Sequence, residues 1–233
     1  MNSQTRREIR FGLVALALSG LLFTVGIPLR GPVPINNPEA MIQSANSPGF
    51  LLGWILLVAA GVFHAWGTFG LYRYLTYQSE SRIAFLAFVL RIAAISLAFP
   101  LSIFFAVSMP VIADLYRQGI QEVTALVQAN FISGLGLILL AIGGAAGLPG
   151  SILFAIAIWK DPRLPKWTGI VYGLSPIGLA IPTTTATEGL GALLLLISSS
   201  VIAWRGWQES EARAGYRLTA VSRGKRQEDQ QEQ

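Results

Sequence analysis

Between residues 11 and 207 the chain repeats one pattern, an apolar run of about twenty residues followed by a short break that carries arginine or lysine. A helix rises ~1.5 Å per residue, so each run is long enough to cross the ~30 Å hydrocarbon core of a bilayer. Lipid offers no hydrogen bonds to an unpaired backbone, which leaves helices and closed barrels as the spanning solutions. Runs of this length select helices. The sequence therefore reads as an all-α polytopic membrane protein, a compact bundle of six transmembrane helices at about 11–29, 49–72, 83–110, 129–159, 166–186 and 189–207. With 53% hydrophobic and only 12% charged residues, the breaks carry too little charge to surround so much apolar sequence as a soluble core.

The basic residues orient the bundle. With the N-terminus inside, the cytoplasmic set is Arg6, Arg7, Arg10, Arg73, Arg82, Lys160, Arg163, Lys166, Arg205, Arg213, Arg217, Arg223, Lys225 and Arg226, fourteen of the 17. Arg30 and Arg117 fall outside, and Arg91 lies within a span. That bias predicts an even number of spans and both termini cytoplasmic. Trp159, Trp167, Trp204 and Trp207, with Tyr72 and Tyr74, match an interfacial belt on the same side. The net charge of +5 thus reports topology and implies no nucleic-acid partner. Arg6, Arg7 and Arg10 ahead of an apolar run imitate a secretory signal, but "VGIPLRGPVP" offers no small-x-small cleavage site, so this segment reads as a retained first helix.

Two spans are irregular. The fourth contains Pro149 and exceeds the membrane thickness, which predicts tilt, a kink or protrusion. The fifth, "WTGIVYGLSPIGLAIPTTTA", is short and holds Pro176 and Pro182; a re-entrant loop fits its length, but a kinked span keeps the basic tail on the cytoplasmic side. In the first external loop Asn37 suits an N-cap and Pro38 a first helical residue, predicting a surface helix at about 38–46. Residues 208–233 are polar and lack the apolar surface for a core, so a disordered cytoplasmic tail is expected, its basic part near anionic lipid. No internal repeat is recognisable.

The third span, "AFLAFVLRIAAISLAF", sets Arg91 in apolar sequence, and intramembrane charge is costly unless it finds a partner, escapes to the interface or serves a ligand. Arg91 lies nine residues after Arg82, and the single histidine, His64, nine before Arg73. Both are then ~13 Å deep, and the short 73–82 connection makes their helices antiparallel neighbours. The same step places Ser19, Ser151 and Ser175 at that depth, with Ser198 near it. Ala84, Ala87, Arg91, Ala94, Ala98 and Ser102 form one stripe, which should face protein because small residues mark close helix contacts in lipid. Ala60, Gly61, Gly67 and Thr68 flank His64 likewise, and Gly143, Gly147, Ser151 and Ala155 give the fourth span a small-residue face. The ligand-binding candidates are Arg91, His64, Ser19, Ser151 and Ser175. Against them stand plainer readings: Arg91 as a snorkelling or carbonyl-capping residue, His64 as packing.

Much chemistry is missing. The sequence holds no cysteine, Walker loop, HExxH pair or dinucleotide fingerprint. Its lysines, 160, 166 and 225, sit in loops or tail, which excludes a mid-membrane retinal Schiff base. One histidine cannot give bis-histidine haem ligation, no acidic residue falls mid-span, and scattered serines beside His64 make no triad. The expectation is no enzyme, no cofactor and no metal.

From "NPEAMIQSANSPGFLLGWILL" through "LYRYL" to "SILFAIAIWKDPRLPKWTGIVYG", with "LPKW" opening the fifth span, the chain resembles a family of uncharacterised bacterial integral membrane proteins carried as a domain of unknown function. The resemblance implies a compact six-helix fold in the inner membrane and transfers no residue role. The expected function is a polar site around His64 and Arg91 for an anionic or lipid-like small molecule. The alternatives are a small secondary transporter or channel lined by the proline-broken helices, and an assembly partner of a membrane complex or homo-oligomer that uses the fourth span's small face.

Overall fold

Capping residues and glycines set several helix ends in the computed structural model, which describes residues 3–34, 37–78, 80–132, 134–180 and 185–231. Helix α1 (Ser3–Arg30) stops at Gly31, whose φ of 74° lies in the left-handed region. Asn37 accepts a 3.0 Å hydrogen bond from the Ala40 N–H and caps α2 (Pro38–Ser44), with proline in its first turn. Helix α3 spans Phe50–Thr76. Ser81 caps α4 (Arg82–Arg117), accepting from Ala84 N–H at 3.2 Å. At the other end of α4, Gly119 N–H donates to Tyr116 O and Ile120 N–H to Leu115 O, a Schellman closure around a glycine with φ of 92°. Then come α5 (Val123–Val127), one π-helical turn (Gln128–Ile132), α6 (Leu135–Lys160), α7 (Lys166–Ala180) and α8 (Thr185–Gln231).

Among the described residues five helices are long and apolar enough to cross a membrane. The remaining candidate, α7, is 15 residues or ~22 Å, short of a full hydrocarbon core. Pro182, with the end of the expected 166–186 span, lies outside the described residues. The fourth span departs from the expected 129–159: a π-helical turn and Gly134 interrupt the run, and helix α6, which contains Pro149, begins only at Leu135. The third continues seven residues beyond 110, because Pro110 bends no end into it and the glycine stop comes at Gly119. Helix α8 carries on past the sixth span through the polar tail to Gln231; residues 232–233 and the side chains from 210 onward lie outside the described residues.

The long helices close a ring in chain order. α1 packs on α3 and α8, α8 on α7, α7 on α6, α6 on α4, and α4 on α3. Where α1 crosses α3 the backbones nearly touch, and a Cβ on Gly12 would come within 2.5 Å of the Gly70 Cα. The small face of α6 is consumed inside the ring: Gly143 and Gly147 meet Ala94 of α4, and Ala155 meets Gly169 and Gly173 of α7. Large apolar side chains such as Phe11, Leu51, Trp66, Phe85, Val107, Ile138 and Leu190 point outward, as a lipid-facing surface requires.

The core is split in two. One cluster holds Leu13, Leu16, Leu71, Tyr74, Ala84, Ala87, Phe154, Tyr172 and Ile202. The other holds Ile27, Met41, Ile42, Phe50, Trp54, Ala106, Met109 and Val127, with α2 and α5 folded over that end of the ring. On α1 the clusters stop at Leu16 and resume at Ile27, on α3 they stop at Leu57 and resume at Leu71, and on α4 they stop at Ala87 and resume at Ala106. Ser19, His64 and Arg91 occupy the gaps. The α4 stripe faces protein only through its first half: Ala84, Ala87 and Ala94 are buried, while Ala98 is exposed. Beyond Pro100, which cannot donate to the Ser96 carbonyl, the buried positions shift to Ala106, Met109, Ile112 and Ala113, and the expectation for Ala98 and Ser102 fails with that rotation.

Candidate functional site

His64 and Arg91 meet at mid-height, as their matched depth requires. Arg91 Nη2 donates to His64 Nε2. His64 is 3% exposed, and its other ring nitrogen lies 3.1 Å from the Ser19 Oγ. Ser19 gives its own proton to Leu16 O at 2.7 Å. Hydrogen-bond inventory then fixes every direction in the chain. A guanidinium can only donate, so Nε2 accepts; the serine hydroxyl is already spent, so Nδ1 carries a proton and donates to Oγ. Arg91, His64, Ser19 and Leu16 form one relay that runs a single way and requires a neutral imidazole. The Phe23 ring closes it edge-on, 6.1 Å from the imidazole centroid.

Arg91 is undersatisfied. Among the described residues no carboxylate lies within ion-pair distance of it. Its Nε is buried without a hydrogen-bond partner. The Tyr172 hydroxyl, on a side chain 1% exposed, stands within electrostatic reach of the guanidinium yet completes no hydrogen bond of good geometry. Thr68, one turn from His64 on α3, also has a buried, unpartnered hydroxyl. The glycines of α6 make room for the guanidinium: a Cβ on Gly150 would lie 3.1 Å from the Arg91 Cγ, and one on Gly147 3.7 Å from Nη1.

The serines divide. Ser19 joins the relay. Ser151 and Ser175 are fully buried at the expected level, but Ser151 donates to Gly147 O at 2.9 Å and Ser175 to Tyr172 O at 2.8 Å, each within its own helix. Ser198 and Ser199 likewise donate to carbonyls one turn back on α8. A hydroxyl in a lipid-embedded helix finds its preceding carbonyl before any distant partner, so serine depth alone does not define a site. Tyr172 went unread in the sequence, and Thr68 was read only as one of the small residues flanking His64. Tyr172 lies six residues past Lys166, too near the interface by counting, and is brought to Arg91 only because α7 sits beside α6 in the ring.

Both ends of the bundle are pinned by other arginines. Arg30, at the end of α1, pairs with Glu188 at the start of α8, and its guanidinium lies 4.9 Å over the Trp54 ring. At the opposite end Arg163, in the α6–α7 turn, bonds Asp161 (Nε to Oδ1, 2.8 Å) and Tyr74 O (2.8 Å) and lies over the Tyr74 and Tyr77 rings. The hydroxyls of Tyr74 and Tyr77 both donate to Glu209 of α8, at 3.0 and 2.9 Å. Burial works to lower the Arg163 pKa, but the Asp161 hydrogen bond and the charges around it win and hold the guanidinium above its ordinary value. The sequence showed these arginines only as topology markers. Among the described residues no group of three or more His, Cys, Asp or Glu could hold a metal ion. Comparison with protein-family models, with curated proteins and with solved structures returned no match, so the site rests on its own geometry.

Proposed function

We propose that this chain is a non-enzymatic inner-membrane protein of six spans, α7 included, with both termini cytoplasmic, and that its mid-bundle site binds the oxyanion of a small or lipid-like molecule at Arg91. The placing of α7 as a full member of the ring supports the six-span reading, since an even count keeps the basic helix ends on one side. The observation that carries the ligand reading is the uncompensated guanidinium: a half-buried cation whose one hydrogen bond of good geometry goes to a neutral acceptor, with its Nε buried and unpartnered beside a tyrosine hydroxyl that completes none. An oxyanion would supply the missing acceptor to Arg91 Nε and to Tyr172, and charge-assisted bonds of that kind are the stronger ones.

Two sulfonates test this on purified protein in nanodiscs by calorimetry. Methanesulfonate stands for a free anion and decanesulfonate for a lipid-like one. Binding of either, lost in Arg91→Met, supports the proposal, and the preference between them separates a soluble from a membrane-derived source. No binding of both, or binding unchanged by Arg91→Met, defeats it. The double substitution Arg91→Met with His64→Leu removes the charge and its acceptor together, and should leave thermal stability within about 1 kcal/mol if the pair is no structural linchpin.

A second reading has its own support. The pairs Arg30–Glu188 and Arg163–Asp161, with Glu209, tie the ring shut on either side of a central cationic site. That is the arrangement of an occluded secondary transporter, in which the two ends open in turn. Uptake of either sulfonate into proteoliposomes, abolished by Arg91→Met, would establish it; binding with no flux would leave a receptor or carrier of bound ligand.

A further inference from the structure

We infer that the site takes up its anion together with one proton, and that the proton goes to His64 Nε2. The inference rests on the anion reading above. The geometry supplies the reason. Arg91 currently spends a guanidinium N–H on Nε2, and that bond can exist only while the ring is neutral. An oxyanion clamped on the Nε edge of Arg91 takes the Nε and Nη2 N–H groups together, and Nη2 is the nitrogen that now serves His64 Nε2. Nε2 is then a buried acceptor that has lost its donor.

The surroundings are sparse in charge. From α4 the ionisable group facing His64 is Arg91, and from α7, behind it, Tyr172. α1 presents Ser19 and Phe23, and α6 presents to Arg91 the glycines 147 and 150. The charged residues of α1 lie at its ends, Glu8 paired with Arg73 and Arg30 with Glu188, and those of α8 through Glu209 lie near the two ends of its apolar spanning part, Thr185–Glu209. Among the described residues no carboxylate is at hand to deliver a proton or to balance a charged imidazole.

A proton from solution resolves the orphaned acceptor. It forms an N–H bond at Nε2, no bond breaks in the protein, and the ring becomes imidazolium with Nδ1 still donating to Ser19 Oγ. Nε2–H can then donate to the oxyanion that Arg91 holds. Without an anion, imidazolium would face guanidinium across a hydrogen-bond distance, two like charges in a medium of low dielectric. With it, the negative charge sits on both. One anion and one proton enter together, and the charge of the site is the same before and after. Electroneutral entry suits a place in the bilayer where adding a bare charge is costly. It also makes the two ligands mutually dependent, since linkage requires the proton to favour the anion as much as the anion favours the proton.

Calorimetry decides the question with methanesulfonate and decanesulfonate, whose charge does not change over the pH range used, so any proton taken up belongs to the protein. Titrations are run in buffers of different ionisation enthalpy. The expected result is uptake approaching one proton per anion, with Kd falling up to about tenfold for each unit that pH is lowered through the range of uptake. His64→Gln keeps a polar side chain but cannot titrate; it should bind more weakly at the acid end, with a Kd that no longer depends on pH. Wild-type binding with no proton uptake and a flat pH profile overturns the inference and leaves the anion site standing. Proton uptake that persists in His64→Gln assigns the proton elsewhere and overturns it too. If wild type binds neither sulfonate, the anion reading itself has failed. If the variant does not fold, wild-type protein that binds the anion without proton uptake still overturns the inference.

Discussion

Removing the carboxylate at Glu188 should cost far more than a surface ion pair would. The two side chains of the Arg30–Glu188 pair are each 9% exposed, and Arg30 Nε already lacks a hydrogen-bond partner. In Glu188→Gln the arginine remains charged, buried and without its counter-ion. Breaking a buried pair from one side costs about 3–5 kcal/mol, whereas exposed pairs are worth about 0–1 kcal/mol. For a chain of this size, ~2–4 °C of melting temperature per kcal/mol converts that loss to a fall of ~6–20 °C. Removing both charges, as Arg30→Met with Glu188→Leu, spares the desolvation of both ions and should recover most of it. Intrinsic tryptophan fluorescence during thermal unfolding in detergent is the assay, because Trp54, one of the six tryptophans, lies against the Arg30 guanidinium. A complete cycle of the two single variants and the double gives the coupling energy. A coupling below ~1 kcal/mol, with Glu188→Gln melting as wild type does, would show a solvated pair and refute the view that it fastens α1 to α8.

Other substitutions have distinct expected outcomes. Gly12→Val should cost about 3 kcal/mol or more and lower the yield of monodisperse protein on size exclusion, since its Cβ would press within 2.5 Å of the Gly70 Cα. Tyr172→Phe should leave the melting temperature almost unmoved, within about 0.5 kcal/mol, because the hydroxyl it removes completes no hydrogen bond, while sulfonate binding should weaken. Arg163→Lys should destabilise by roughly 1–3 kcal/mol in the same melts, as an ammonium cannot reproduce the planar fork that reaches Asp161 and Tyr74 O while stacking on two tyrosine rings. Asn37→Ala should cost about 1 kcal/mol or less, read as faster amide hydrogen exchange confined to α2.

What the sequence disclosed follows from where information is local. Helix caps depend on a few neighbouring residues, so Asn37 and Pro38 announced α2. The depth of His64 and Arg91 depends only on counting from charged helix ends, and their contact follows from a loop too short to separate their helices. Facing was harder. Ala84 to Ala94 obeyed the helical stripe, but Ala98 did not, because Pro100 and the packing of α2 and α5 turn the second half of α4 toward other partners. The serine layer shows a different limit. Depth brought Ser151 and Ser175 to the right level, yet each satisfies itself on its own helix, and the residue completing the site, Tyr172, depended on which helices neighbour one another around the ring. The pairings Arg30–Glu188 and Arg163–Glu209 were hidden likewise, since their partners lie 158 and 46 positions apart in sequence and no local pattern joins them.

The divided core bears on why Arg91 stays where it is. Within lipid, apolar side chains gain little by leaving one apolar medium for another, so helix association rests on close packing and on the few polar bonds available. The two apolar clusters are already well packed, one around Tyr172 and Phe154, the other around Phe50 and Met109, and neither needs a charge between them. If the middle layer served only to join helices, neutral hydroxyls and an amide would do so without desolvating a guanidinium. Helices α1 and α3 are in fact joined by glycine contact at Gly12 and Gly70, independently of the relay. The relay contributes one strong donor to one imidazole, and it leaves Arg91 Nε, Thr68 and Tyr172 unsatisfied. Buried polar groups left incomplete are costly to retain, and a fold whose packing does not depend on them is best explained by an occupant that completes them.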